Sequence, residues 1–138
     1  MLNYKKIISR LLDQNIYILS NDDKEAIIID PGLGFDLIDR YLKSENLSPI
    51  AVLATHAHID HIASANDCIK NYNIPFYICR GNSIMLDHYD IMKGYMHVDS
   101  EKPEVSHWIE DSDKKLIIGS FEFNVNYNPG HSPGCMSF

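Results

Sequence analysis

Residues 50–61 read Ile-Ala-Val-Leu-Ala-Thr-His-Ala-His-Ile-Asp-His, which is the most informative stretch of the sequence. Residues 50–54 form a short continuous apolar run, which is typical of a buried strand. Three imidazoles and one carboxylate follow within residues 56–61. Binding residues commonly lie on loops that a rigid sheet holds in place. The stretch therefore predicts a buried strand that delivers four polar side chains to one point.

These four side chains belong to the types that bind metals in catalytic sites: His56, His58, Asp60 and His61. Neutral imidazole and carboxylate are ligands of Zn²⁺ where one coordination position stays open for water. Apolar residues at helical spacing predict a helix over 62–72, with Asp60 and His61 at its entrance. We expect Asp60 to cap this helix, a role compatible with a second one facing a metal. Metal binding is favoured over a merely solvated, histidine-rich loop.

A second histidine lies between two tight turns in residues 128–134, Asn-Pro-Gly-His-Ser-Pro-Gly. This segment follows residues 121–127, whose alternating pattern predicts a strand. Folding already restricts the freedom of His131, which suits a ligand because little further ordering is needed. Alone, His131 would be an ordinary loop residue. With the first cluster it becomes the third imidazole that a three-ligand zinc site requires.

These motifs together resemble the metallo-β-lactamase-fold hydrolases, and in particular their glyoxalase II-like branch. The resemblance is carried by residues 56–61, by Asp30-Pro31-Gly32 upstream and by residues 129–134 downstream. It covers most of the chain, from the first strands to Phe138. It implies an α+β fold, a four-layer αβ/βα sandwich with a metal site at one edge of its two sheets.

The resemblance also implies the ligand sets. His56, His58 and His131 would hold one metal, and Asp60 with His61 would contribute to a second. The cofactor would be one or two zinc ions, with iron or manganese as alternatives, since imidazole and carboxylate suit these ions too. For Asp30, turn chemistry before a proline is one explanation. Support of the metal loop through an imidazole N–H is the other.

The chain also departs from the family pattern, which continues with a bridging Asp and a further His. The chain stops at Phe138, and Asp111 and Asp113 precede His131, in the wrong order to supply that Asp. We therefore expect residues 1–138 to form a single, partial domain holding half to two-thirds of the fold. Such a truncated chain would be a fragment, a frameshifted product or part of something that a partner completes. Its unfinished sheet edge predicts self-association.

Hydrophobic patterning along the rest of the chain fits the first part of such a sandwich. It predicts strands at 5–12, 14–20, 26–29, 50–54, 75–79, 114–118 and 121–127. It predicts helices around 37–42, 62–72 and 81–88. Residues 89–110, with many charges, are expected to be irregular.

Composition narrows the partners. The formal net charge is −7, and the only adjacent basic pairs are Lys5-Lys6 and Lys114-Lys115. Nucleic-acid recognition needs a concentrated basic surface, so we expect a small-molecule substrate and no nucleic acid. No apolar run approaches the length of about 20 residues that a membrane span needs. Three cysteines without paired spacing predict reduced thiols and a cytoplasmic location.

The predicted chemistry follows from the metal. Zn²⁺ lowers the pKa of its water to about 7, and Asp60 would orient that nucleophile or act as general base. Metal-assisted hydrolysis is the reaction class that the residues indicate. A small thioester, ester or lactone as substrate, as for a hydroxyacylglutathione hydrolase, comes from the resemblance alone. The alternatives are a catalytically inert, truncated metal-binding remnant and an iron-dependent sulfur dioxygenase of the same fold.

Overall fold

A six-stranded mixed sheet forms the centre of the computed structural model, which describes residues 1–138. The strands lie side by side in chain order: β1 (Asn3–Ile8), β2 (Asn15–Ser20), β3 (Glu25–Ile29), β4 (Ser48–Leu53), β5 (Phe76–Cys79) and β6 (His107–Ile109). Strands β1 to β3 pair antiparallel, whereas β3 to β6 pair parallel. Parallel strands end at the same edge of a sheet, which gathers the loops after β3, β4 and β5.

Two hydrophobic cores lie on opposite faces of this sheet, because successive side chains of a strand point to opposite sides. In β3, Ile28 packs with the core on the helical side and Ile27 with the core on the other side. In β4, Val52 packs with the core on the helical side and Leu53 with the core on the other side. Burial on both faces explains why the sequences of β3 and β4 are continuously apolar rather than alternating.

Five short helices follow the strands: α1 (Phe35–Ser44), α2 (Ile59–Ile62), α3 (Ala65–Tyr72), α4 (Ser83–Asp87) and α5 (Tyr89–Tyr95). A single 3₁₀ turn, Arg80–Asn82, joins β5 to α4. Helix α1 buries Ile38 and Leu42 in the helical-side core, and α3 buries Cys68 there. None of the helices is long and apolar enough to cross a lipid bilayer.

A second β layer covers the other face. It consists of the hairpin β7 (Lys115–Ile118) and β8 (Phe121–Asn124), and of the pair β9 (Asn126–Tyr127) and β10 (Met136–Ser137). Phe121, Phe123 and Met136 pack from this layer onto Leu53 and Ile109 of the large sheet. Helices, large sheet and second β layer make three of the four expected layers, in agreement with a partial α+β sandwich.

The helix predicted over 62–72 is wrong in detail, as is the capping role of Asp60. The segment forms two helices, α2 and α3, and the residue preceding the first is His58, in an extended conformation. The break has a specific cause at Ser64, whose N–H donates to Gly32 O at 2.6 Å while its Oγ accepts from Gly34 N. Continuing α2 would require that N–H for an intrahelical bond. The hydrogen bond from Ser64 to the loop after β3 therefore interrupts the helix between α2 and α3.

The expectation that residues 89–110 are irregular is also wrong. They contain α5 and β6. Tyr89 begins α5 fully buried, with its hydroxyl 2.8 Å from Ser100 Oγ. Strand β6 has only three residues and forms by pairing with β5, where Tyr77 lies opposite His107. Neither element is long enough to show a clear period in the sequence.

Two predicted strands also have different bounds. The first strand ends at Ile8, because Leu12 and Asp13 adopt left-handed backbone conformations in the turn before β2. The strand predicted at 121–127 divides at Val125 into β8 and β9. Strand β9 then pairs antiparallel with β10.

Candidate metal centre

The candidate site lies where the carboxyl ends of β3, β4 and β5 meet. Asp30 follows β3, residues 54–58 follow β4, and Arg80–Asn82 follow β5. Ligand sites in sheets of this kind commonly lie outside the carboxyl ends of the strands. The loop between β9 and β10 reaches the same place from the second layer and carries His131.

Three histidines from distant parts of the sequence, His56, His58 and His131, converge here. His58 Nδ1 lies 3.0 Å from His131 Nε2. One ring nitrogen from each of His56, His58 and His131 lies within 4.8 Å of the others. Two nitrogens bound tetrahedrally to one zinc at 2.0–2.1 Å would be about 3.3 Å apart. The His58–His131 pair is close to this spacing, and the ring nitrogen of His56 lies within 4.8 Å of both, so the three imidazoles converge on one point.

A chain of hydrogen bonds determines which nitrogen of His56 is free. Asp30 accepts from Thr55 N and from Thr55 Oγ1, both at 2.7 Å. Because the hydroxyl has one proton and gives it to the carboxylate, its oxygen must accept from His56 Nδ1, 3.0 Å away. The proton of His56 is thereby assigned to Nδ1, and Nε2 presents a lone pair. That Nε2 is buried and has no hydrogen-bond partner in the protein.

The electrostatics also suit a metal ligand. Burial, followed by the neighbouring imidazoles, lowers the pKa of His56 to about 4. Burial and the adjacent His131 lower the pKa of His58 as well. Both rings are therefore neutral at pH 7, and neutral imidazole is the form that binds metals. A buried nitrogen with no partner, in a cluster of three crowded imidazole rings, fits a divalent cation.

Asp60 and His61 lie beside the histidine cluster and are not part of it. His61 Nε2 is 3.5 Å from Asp60 Oδ2, and the His61 ring centroid is 4.1 Å from that of His56. Burial opposes charge on His61, but the hydrogen bond and charge of Asp30 outweigh it and raise the pKa of His61. The two side chains thus form a separate acidic and imidazole pair next to the three rings.

Asp30 combines the two roles that the sequence left open. Its backbone has φ +49° in the turn after β3. Its Oδ2 also lies 2.9 Å from His61 Nδ1, which orients that ring. A carboxylate that takes an imidazole N–H fixes the tautomer of the ring.

Two residues of the site were not found from the sequence. Thr55 connects Asp30 to His56, and Asn82 hydrogen-bonds the loops that carry the histidines. Thr55 lies directly before the histidine motif, so its position was a signal. Asn82 gave none, because it is remote from both motifs in sequence.

The chain belongs to the metallo-beta-lactamase superfamily, whose family model matches residues 9–138. The fold, the metal-ligand types and this match define a metallo-hydrolase superfamily member. The chain is 33% identical over 129 residues to a probable metallo-hydrolase, YqgX, of Bacillus subtilis (strain 168), covering 92% of this chain and 60% of that protein. It is 28% identical over 122 residues to a hydroxyacylglutathione hydrolase of Citrobacter koseri, covering 88% and 41% respectively.

Among solved structures, the crystal structure of the BLEG-1 B3 metallo-beta-lactamase superposes with a TM-score of 0.85 at 36% identity. The match covers 97% of this chain and 65% of that one. The chain thus spans between about two-fifths and two-thirds of the length of these relatives.

Proposed function

We propose that the chain is, or forms the metal-binding part of, a metal-dependent hydrolase of a small thioester, ester or lactone. The observation that carries the proposal is the convergence of the imidazoles of His56, His58 and His131, among which the Nε2 of His56 is buried and unpartnered. A family match supports hydrolysis as the reaction type.

His56, His58 and His131 would hold the first ion, which we propose to be zinc, with iron or manganese as alternatives. Asp60 and His61 would contribute to a second ion. When bound, such an ion acidifies a coordinated water and polarises a carbonyl. The protein itself keeps His56 and His58 neutral by burial, and it fixes the tautomers of His56 and His61 through Asp30 and Thr55.

Asp60 is our proposed general base. Its carboxylate is 21% exposed, so it can reach a solvent-side substrate while staying next to His61. A carboxylate beside the first ligand loop can orient an attacking water and take its proton. This role differs from helix capping, since Asp60 makes no capping hydrogen bond in α2.

A thioester is our preferred substrate because one relative is a hydroxyacylglutathione hydrolase. The similarity to a B3 metallo-beta-lactamase makes a lactam the competing substrate class. The net charge of −7 supports a small molecule rather than a nucleic acid. A bound cation can still attract an anionic thioester locally.

The test combines metal analysis of the purified protein with turnover of a panel of glutathione thioesters, esters, lactones and β-lactams. We expect stoichiometric zinc and thioester turnover, both lost in His58→Ala. His88→Ala is the matched control, because His88 is an exposed histidine at the end of α4, bonded only to Ile84 O. It should retain metal and turnover.

Other outcomes would overturn parts of the proposal. Wild-type protein without metal and without turnover would identify an inert remnant. Turnover of β-lactams alone would show that the substrate is a lactam and not a thioester, ester or lactone. Oxygen consumption by the iron-loaded protein with a persulfide, without hydrolysis, would identify the dioxygenase alternative.

A further inference from the structure

The buried side chain of Asn82 joins three backbone segments of the site. Asn82 is fully buried and ends the 3₁₀ turn after β5. Its Oδ1 accepts from Ala57 N at 3.0 Å. Its Nδ2 donates to Cys79 O at 3.1 Å and to Gly134 O at 2.8 Å. Both amide hydrogens and the carbonyl oxygen therefore have partners.

The partners of Asn82 adjoin the ligands without being ligands. Ala57 lies between His56 and His58, and Gly134 follows His131 by three positions. One carboxamide thus ties together the two loops that supply the three imidazoles. A backbone bond from Met136 N to Thr55 O, at 2.9 Å, links the same two loops on the other side of the ligand motif.

The two loops approach so closely that side chains are excluded at the contact. A Cβ on Gly134 would overlap the Asn82 carboxamide and lie 2.6 Å from Asn82 N. A Cβ on Gly81 would lie 2.7 Å from Pro133 O and 2.9 Å from Gly134 Cα. This close contact supports a specific fit between the turn after β5 and the loop that carries His131.

We propose that Asn82 is a positioning residue that sets the distance between His131 and the pair His56 and His58. The inference rests on the proposed function, since it assigns these three residues to one ion. Hydrogen-bonded groups behind metal ligands typically contribute 10- to 100-fold to metal affinity. Loss of the Asn82 carboxamide should release the loop holding His131, which is itself exposed at the surface.

The test compares wild type, Asn82→Ala and Gly134→Ala, with Asn66→Ala as control. Asn66 is also buried and also donates through its amide, but to Glu101 rather than to a loop that carries a histidine of the cluster. Zinc affinity is measured by competition with a chromophoric chelator. The visible spectrum of the Co²⁺-loaded protein reports the coordination number and geometry of the ion. Asn82→Ala should weaken zinc binding by about 10- to 100-fold and change the Co²⁺ spectrum. Asn66→Ala should change neither, even if it lowers stability.

A metal-free measurement separates this inference from the proposed function. In the apo protein, nuclear Overhauser contacts between the rings of His58 and His131, whose centroids are 4.6 Å apart, should be present in wild type and Asn66→Ala. These contacts should be lost in both Asn82→Ala and Gly134→Ala. Gly134→Ala disrupts the contact between Asn82 and the loop that carries His131 without changing Asn82, so it serves as the test if Asn82→Ala does not fold. Wild type that shows these contacts but binds no zinc would overturn the proposed function and leave the positioning role standing. Contacts and zinc affinity both retained in Asn82→Ala would overturn the positioning role.

Discussion

At the scale of single residues, the geometry of the site depends on which atom accepts the hydroxyl proton of Thr55. Thr55 donates to Asp30 and therefore accepts from His56 Nδ1. The free Nε2 of His56 is a consequence of this arrangement rather than of the histidine alone. A carboxylate, a hydroxyl and an imidazole thus act in series, with the carboxylate also orienting His61.

Replacing Thr55 by valine tests this series. The Thr55→Val side chain has nearly the same shape but no proton or acceptor, so His56 loses the bond that fixes its tautomer. We expect the zinc dissociation constant to rise about 10- to 100-fold. Titration with a competing chelator measures the change. Thr55→Ser keeps the hydroxyl and should bind zinc nearly as wild type does; equal affinity in all three proteins would refute the series.

At the scale of elements, the turn after β3 anchors α2, which directly follows the loop with His56 and His58, and the start of α3. Gly32 N donates to His61 O at 2.9 Å, and Gly32 O accepts from Ser64 N. Gly32 has φ +53°, and a Cβ there would lie 2.7 Å from Ser9 Oγ. The turn therefore requires glycine for both its backbone conformation and its space.

The Gly32→Ala variant should lower the free energy of unfolding by about 1–3 kcal/mol, since a strained left-handed residue carries a cost of that order. Urea denaturation followed by circular dichroism measures the loss. Gly94→Ala is the matched control, and we expect it to raise the free energy of unfolding rather than lower it. A Cβ at Gly94 meets nothing within 4 Å, and alanine in a helix is favoured by about 0.5–1 kcal/mol over glycine. Equal changes in the free energy of unfolding for Gly32→Ala and Gly94→Ala would contradict the requirement for glycine in the turn after β3.

Also at this scale, the elements differ in how far the sequence predicts them. Strands β3 and β4 follow from short continuous apolar runs, and helix α1 follows from apolar residues at helical spacing. Strand β6 and the break at Ser64 do not, because each is determined by a partner distant in sequence. The ligand types were evident from residues 56–61, whereas the contact through Asn82 depends on tertiary packing and has no local signal.

At the scale of the whole molecule, the site joins two distant parts of the chain. His58 and His131 approach to 3.0 Å, although 73 residues separate them. One lies after a strand of the central sheet and the other in the second β layer. An ion held by both would link the two layers and bind the folded state in preference to the unfolded chain.

Zinc should therefore stabilise the fold. At a free concentration 100 times its dissociation constant, we expect about 2.7 kcal/mol of added stability, lost when a chelator removes the ion. Thermal unfolding with and without zinc measures this, and magnesium, which prefers oxygen ligands, is the control ion. His131→Ala should remove most of the zinc effect. An undiminished zinc effect in that variant would show that the ion does not link the layers.

A crystal structure of the zinc-loaded protein, with the ion located by anomalous scattering, would show directly whether the three histidines share one ion. We expect one ion with nitrogens of His56, His58 and His131 each about 2.0–2.1 Å away, His56 through Nε2. An ion bound without His131, or bound elsewhere on the molecule, would contradict it.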